Sequence, residues 1–293
     1  RGGMIDVGRT YFPLDYLEEV GRYMAWYKLN TLQVHLSDGW DNTGYAAFRL
    51  ECDTYPLIKY NGNASSPGGE NEGYYTKDEY RQLQKNLLQY GVEVINEIDT
   101  PAHSMIFGRL TEEEGRPPMR TAAHMNVDTE ENRAEVEEFV LNLIEEYTTG
   151  SDPVFINGTV SFGGDEYSGS ADALAEYSMD MIEKLRERGL NVRMWSSGST
   201  LSSCVDTELI RDPNVLINIW HPAELASGGG VKAAYERGYN VINTCNFLYI
   251  DPANYNGYPD RYGGVYYQDS ANPSDYTFEH IYDVFNVNNT YTP

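Results

Sequence analysis

Short runs of β-branched, aromatic and aliphatic residues alternate along this chain with longer stretches in which apolar residues return every three or four positions. The short runs read as buried strands, because such residues fit a pleated surface covered on both faces. They fall at residues 3–7, 31–36, 92–98, 159–163, 191–195, 215–220 and 241–244. The longer stretches read as amphipathic helices. Residues 13–28 place Leu14, Leu17, Val20, Met24 and Tyr27 on one face behind Pro13. Thr76 with Glu79 forms a capping box for a helix that carries Tyr80, Leu83 and Leu87 inward and stops at Gly91. Helices also follow at 129–148 and at 171–188, where Leu174, Tyr177, Met181 and Leu185 share a face and Gly189 ends it. A short helix is expected at 231–237 and a last helical patch at 278–285.

Strand and helix in alternation predict a parallel sheet with helical crossovers. The class is α/β, a (β/α)8 barrel of the TIM type in which only seven strands are readable. A doubly wound open sheet is the alternative. No tandem repeat and no linker divides the chain, so residues 1–293 are read as a single barrel domain, cut short at both ends. Two stretches break the pattern. Residues 37–75 form a long polar segment, and a loop that long in a compact domain is usually functional. Residues 101–127 read as irregular.

Polar and aromatic residues recur just after strands: Asp38, His103, Asp165, Glu166, Trp195, Trp220 and Tyr249. Clustering at C-terminal strand ends is the layout of a barrel active site. The sharpest chemistry lies in Thr159-Val160-Ser161-Phe162-Gly163-Gly164-Asp165-Glu166. Two glycines let backbone or ligand come close, and two adjacent carboxylates come next. Held at one mouth, they repel, so one pKa is pushed up while the other group stays ionised. That separation provides one proton donor and one fixed negative charge. Without its context, the same pair would be an ordinary acidic turn.

The formal net charge of −24 argues against nucleic acid and anionic membranes as partners. No apolar run is long enough to cross a membrane. The 25 tyrosines and four tryptophans offer stacking platforms for sugar rings, although most will serve packing. Cys52, Cys204 and Cys245 have neither metal-type spacing nor a disulfide framework. A metal-dependent hydrolase built from His35, Asp38, His103 and Asp165 lacks the short His-x-His or His-Glu-x-x-His spacing that zinc sites favour. The expectation is therefore no cofactor and no metal. His35, in mid-strand, reads as a satisfied core histidine.

Several motifs carry a resemblance. Arg1-Gly2-Gly3-Met4-Ile5-Asp6-Val7-Gly8-Arg9, then Lys28-Leu29-Asn30-Thr31-Leu32-Gln33-Val34-His35-Leu36-Ser37-Asp38, then Glu97-Ile98-Asp99-Thr100-Pro101-Ala102-His103, then Gly163-Gly164-Asp165-Glu166 occur in order. They resemble the successive barrel motifs of glycoside hydrolase family 20, the β-N-acetylhexosaminidases, over nearly the whole chain. The resemblance implies a retaining reaction in which the 2-acetamido group of the sugar is the nucleophile and an oxazolinium ion the intermediate. It implies that Glu166 is the general acid and then the base, and that Asp165 orients the acetamido group. It further implies that Tyr249 hydrogen-bonds the acetamido oxygen and that Trp195 and Trp220 wall the sugar. Arg1 would hold hydroxyls of the terminal sugar, and Asp38 and His103 would form a relay to the general acid.

The substrate implied is a glycan or glycoconjugate ending in a β-linked N-acetylhexosamine. The segment 47–56 also resembles the lacto-N-biosidase branch, which implies release of a disaccharide as the alternative. A non-catalytic binder of N-acetyl sugars is a further reading. Secretion or display at the cell surface is expected, with any leader already removed. Three departures stand out: Ser161 occupies a position where the family often has histidine, Gly39 follows Asp38 where a second aspartate is frequent, and no eighth strand with the family's final tryptophan is found.

Overall fold

The first strand, β1 (Gly2–Asp6), is followed by α1 (Leu14–Trp26) and then β2 (Thr31–His35). Two short strands come next, β3 (Ser37–Gly39) and β4 (Ala46–Phe48). The chain continues through α2 (Lys77–Gln89), β5 (Glu93–Thr100), α3 (Met105–Gly108), α4 (Glu130–Thr148), β6 (Thr159–Gly163) and α5 (Ala171–Glu187). After these come β7 (Asn191–Trp195), β8 (Val215–Ile219), β9 (Val241–Asn243), β10 (Ile250–Asp251) and β11 (Gly264–Val265). This computed structural model describes residues 1–9, 11–39, 46–58, 73–196, 208–220, 234–244, 250–251 and 264–265.

Seven strands form one sheet in the order β1-β2-β5-β6-β7-β8-β9. All six pairings are parallel. Each predicted strand is therefore present in the predicted sequence order, and the sheet curls as part of a TIM-type barrel. Among the described residues there is no eighth strand in this sheet; the two-residue β10 comes close to β1. The expected patch at 278–285 lies outside the described residues.

Apolar periodicity dictates the layer between sheet and helices. Leu17 and Met24 of α1, Leu83 and Leu87 of α2, and Leu174, Met181 and Leu185 of α5 are buried, together with Leu32 and Val34 of β2. The Thr76–Glu79 capping box is formed, with the hydroxyl accepting from the Glu79 amide. Thr129 and Ser170 cap α4 and α5 in the same way.

Two expectations need correction. The 37–75 segment is not irregular throughout, because β3 and β4 pair as an antiparallel hairpin, Ser37 opposite Phe48. The residues at the end of this hairpin pack into the interior. Phe48 and Leu50 are buried, and the Arg49 guanidinium, 1% exposed, donates to the carbonyls of Val7, Gly8 and Gly73. The 47–56 segment thus begins as a core strut. Second, the third predicted strand does not stop at residue 98 but runs to Thr100. This extension turns Asp99 from a loop residue into a buried strand residue.

Candidate active site

Parallel strands in register bring their C-terminal ends together, with Asp6 opposite His35 and His35 opposite Glu97. Residues two apart on a strand share a face. Gln33 and His35, like Glu97 and Asp99, are such pairs, and they build a polar interior instead of an apolar one. Glu97, completely buried, accepts from His35 Nδ1 at 2.5 Å, Gln33 Nε2 at 2.5 Å and Ser161 Oγ at 2.7 Å. The other ring nitrogen of His35 lies 2.7 Å from Asp38 Oδ2. The second oxygen of Asp38 is 3.3 Å from His103 Nδ1, and His103 Nε2 is 2.9 Å from Glu166 Oε2. Arg9 closes the rim, with one nitrogen 2.6 Å from Asp6 and another 2.9 Å from Asp38.

The turn that presents the two carboxylates depends on its glycines. Gly163 has φ +84°, and a Cβ there would fall 1.8 Å from Asp99 Oδ1 and 2.8 Å from the Thr100 nitrogen. Its neighbour Gly164 donates its amide to the Thr100 carbonyl at 2.8 Å. His103 and Glu166 themselves adopt left-handed backbone, φ +54° and +51°. Such conformations cost about 1–3 kcal/mol in a non-glycine residue and cluster where a side chain must be aimed. The loop beyond Glu166 is held by Tyr167, which donates to Asp128, and by Ser168, whose amide donates to His124 Nδ1 at 3.2 Å.

The family model for the glycosyl hydrolase family 20 catalytic domain matches residues 1–291. The chain belongs to that family. It is 31% identical to a beta-hexosaminidase of Akkermansia muciniphila over 176 residues, 57% of this chain and 34% of that protein. It is 25% identical to beta-hexosaminidase subunit A1 of Dictyostelium discoideum over 268 residues, 87% of this chain and 46% of that protein. The chain thus spans between about a third and a half of the length of these relatives. Its fold matches the beta-N-acetylhexosaminidase structure from Bacteroides fragilis with a TM-score of 0.63 at 20% identity, over 84% of this chain and 49% of that one.

In this family 20 domain, Asp38, His103, Asp165 and Glu166 stand together. Trp195, at the end of β7, is buried and close to the Glu97 carboxylate, so it lines the interior of the sheet. Trp220 follows β8, half-buried, and donates its indole N–H to the Ser196 carbonyl at 2.9 Å. Arg1 is not brought to this cluster. It precedes β1 at the N-terminal end of the sheet, exposed, and its terminal ammonium contacts Asn30. A strand places its two ends on opposite rims, so a residue before β1 and a residue after it face different openings. The arginine at the carboxylate rim is Arg9. Tyr249 lies outside the described residues.

Burial opposes the charged form of both histidines, yet surrounding carboxylates override it. Asp6, Asp38 and Glu97 hold His35 well above the ordinary histidine value. For His103, Asp38, Asp99 and Glu166 do the same. Burial also opposes the Asp38 anion, but Arg9, His103 and His35 hold its carboxyl well below the usual range. The hydrogen bond from His103 lowers Glu166. Burial raises Asp165 to about 7, aided by the negative charge of Glu166. Asp99 is likewise raised well above its ordinary value by burial. Asp165 Oδ1 and Asp99 Oδ1 have no hydrogen-bond partner among the described residues.

The expected separation of the two pKa values exists, but with the opposite sign to the one expected for an acid at Glu166. The reason is local: Glu166 has a cationic donor and Asp165 has none. Donor triplets Asp6-His35-Asp38, His35-Glu97-Asp99 and Asp99-His103-Asp165 each lie within 4.8 Å. In the first two, both ring nitrogens of His35 already bridge carboxylates, which suits a proton-holding network better than a metal ligand. Sequence reasoning passed over Arg9, Glu97 and Asp99 as site residues, and its reading of His35 as a satisfied core histidine agrees with a buried ring whose two nitrogens both have carboxylate partners. Their signal was available, since ionisable residues in otherwise apolar parallel strands are rarely buried without a purpose.

Proposed function

We propose that this domain is the catalytic part of a retaining exo-glycosidase that releases β-linked N-acetylhexosamine from the non-reducing ends of glycans. The observation that supports it best is the Asp38–His103–Glu166 chain set beside Asp165 at the C-terminal rim, in a chain belonging to glycosyl hydrolase family 20. The acetamido oxygen attacks the anomeric carbon as the glycosidic bond breaks, and the leaving oxygen takes a proton from Glu166. The result is an oxazolinium ring. The Glu166 carboxylate then takes a proton from water as that water attacks the same carbon and reopens the ring. Two inversions give net retention.

Asp165 has the place and the need for a donor. An acetamido N–H directed at its unpartnered Oδ1 would favour the ionised form and set a negative charge beside the developing cation. That charge would in turn raise Glu166 toward the range an acid requires. Substrate binding would therefore reverse the order of the two pKa values. His103 supplies a proton to Glu166 along the 2.9 Å contact.

The test is release of chromophore from a β-N-acetylglucosaminide, with Glu166→Gln and Asp165→Asn alongside. The expected result is monosaccharide release that falls about 10²–10⁴-fold in Glu166→Gln. No release by a folded chain that still binds N-acetylglucosamine would replace the hydrolase reading with a binding module. Faster release from a lacto-N-bioside would assign the disaccharide substrate instead.

A further inference from the structure

The relay leading to Glu166 does not end at Asp38. His35 Nε2 lies 2.7 Å from Asp38 Oδ2, and His35 Nδ1 lies 2.5 Å from Glu97 Oε1. The result is one line of alternating groups, Glu166–His103–Asp38–His35–Glu97, running from the rim into the sheet interior. Its four inner members are at most 6% exposed. The deep end is firmly held, because Ser161 and Gln33 both donate to Glu97 beside His35. Gln33 is fixed in turn by Arg193 and Asn218. Strands β2, β6, β7 and β8 thus all contribute a side chain to the anchoring of one carboxylate on β5.

We propose that His35 and Glu97 are positioning residues for the general acid: they fix the orientation and the charge of Asp38, and through it the proton that His103 shares with Glu166. Orientation follows from geometry. A carboxylate gripped at Oδ2 by His35 and Arg9 presents Oδ1 to His103 in one direction only. Charge follows from alternation. A cation at His35 makes Asp38 a weaker proton acceptor, so His103 gives up its proton to Glu166 more readily. Glu97 keeps His35 cationic in the sheet interior, where an unpaired imidazolium would lose its proton. The groups facing this line are Asp6 at the end of β1, Arg9 beyond it, Asp99 on β5, Arg193 on β7 and Asp165 after β6. Asp6 faces its middle, Arg193 its deep end, and Asp99 and Asp165 its rim, while Arg9 reaches from Asp38 to within 3.4 Å of His103 Nδ1.

The inference rests on the hydrolase reading for its kinetic arm and stands apart from that reading in its spectroscopic arm. Glu97→Gln keeps the shape of the side chain, His35→Asn keeps a donor at the Nδ1 position toward Glu97, and the two remove charges of opposite sign. The pH profile of kcat would be measured on a β-N-acetylglucosaminide, and the His103 ring would be titrated by ¹⁵N NMR of histidine-labelled protein, assigned with His103→Asn. Because Glu97→Gln lets His35 lose its proton, both variants are expected to move the basic limb, and the His103 titration, up: by about one pH unit in His35→Asn, and by less in Glu97→Gln, where the distant anion is lost together with the nearer cation. A purely structural role predicts lower kcat in both variants with limb and titration within about 0.2 unit of the parent, and that result overturns the proposal. If His35→Asn does not fold, the direction of the Glu97→Gln shift decides. If the parent chain shows no hydrolysis, the hydrolase reading fails, and the His103 titration still decides whether the deep pair sets its charge.

Discussion

Inside the sheet, His35, Asp38 and Glu97 are 3% exposed or less, whereas on the helical layer Arg188 and Glu145 pair at 2.6 Å with side chains 35% and 42% exposed. The contacts have similar lengths and unlike consequences. An exposed pair gains little in a high dielectric and is worth about 0–1 kcal/mol. A buried charge has lost its water, so each must be matched by partners on other strands, and removal of one strands the next. The outer layer of this domain uses charge for solubility. Its interior holds charge only as a mutually matched set, which is the arrangement expected where protons are to be moved.

The comparison can be broken most sharply at Glu97. Replacing it with Leu leaves His35 without its Nδ1 partner, and the loss is expected to be about 3–5 kcal/mol in denaturant titration. A loss below about 1 kcal/mol would mean that the interior relaxes as freely as the surface. Gly163→Ala tests the turn that brings the rim together. Its Cβ would meet Asp99 Oδ1 and the Thr100 nitrogen while the backbone remains left-handed, for an expected cost of about 2–4 kcal/mol in the same assay.

The pH dependence of stability sharpens the comparison further. Asp165 binds its proton more tightly folded, at about 7, than at its ordinary 3.8. Its contribution is therefore greatest below about pH 4 and is lost as pH rises toward 7. His35 and His103 are raised as well, so they stabilise fully below about 6.5, and that share is lost as pH climbs through their folded values. Asp38, Glu97 and Glu166 are lowered; they stabilise above about pH 4, and this is lost as pH falls through their folded values. Thermal midpoints are therefore expected to peak between about pH 4 and 6 and to decline toward pH 8. Asp165→Asn should flatten the decline below pH 7, and an unchanged slope would remove Asp165 from this account. The smallest effect belongs to the surface: Arg188→Ala should change stability by no more than about 0.5 kcal/mol and become harder to detect in high salt.

Apolar patterning was enough to read the seven strands in order and the four long helices, because the strands are short runs buried on both faces and each helix buries one face against the sheet. The Asp165-Glu166 pair was equally legible, since two glycines and two carboxylates at a strand end are local facts. The β3–β4 hairpin was not, because its sequence is polar around a short apolar centre and its stability comes from Arg49 reaching carbonyls on the loop after β1 and beyond. Arg1 illustrates the same limit from the other side. A motif aligns residues along the chain, but a strand carries them to one rim or the other, and the rim with the carboxylates holds Arg9.

The order of residues along the chain thus settles what is local in this protein: strand, helix, cap, glycine turn, and the presence of acidic and imidazole groups at strand ends. Only the assembled sheet decides which of them meet. His35 and Glu97 are 62 positions apart, Asp38 and His103 are 65, and His103 and Glu166 are 63. Their protonation depends on those meetings, because a carboxylate's pKa reflects the water it has lost and the charges it has gained, and both are properties of the packed interior.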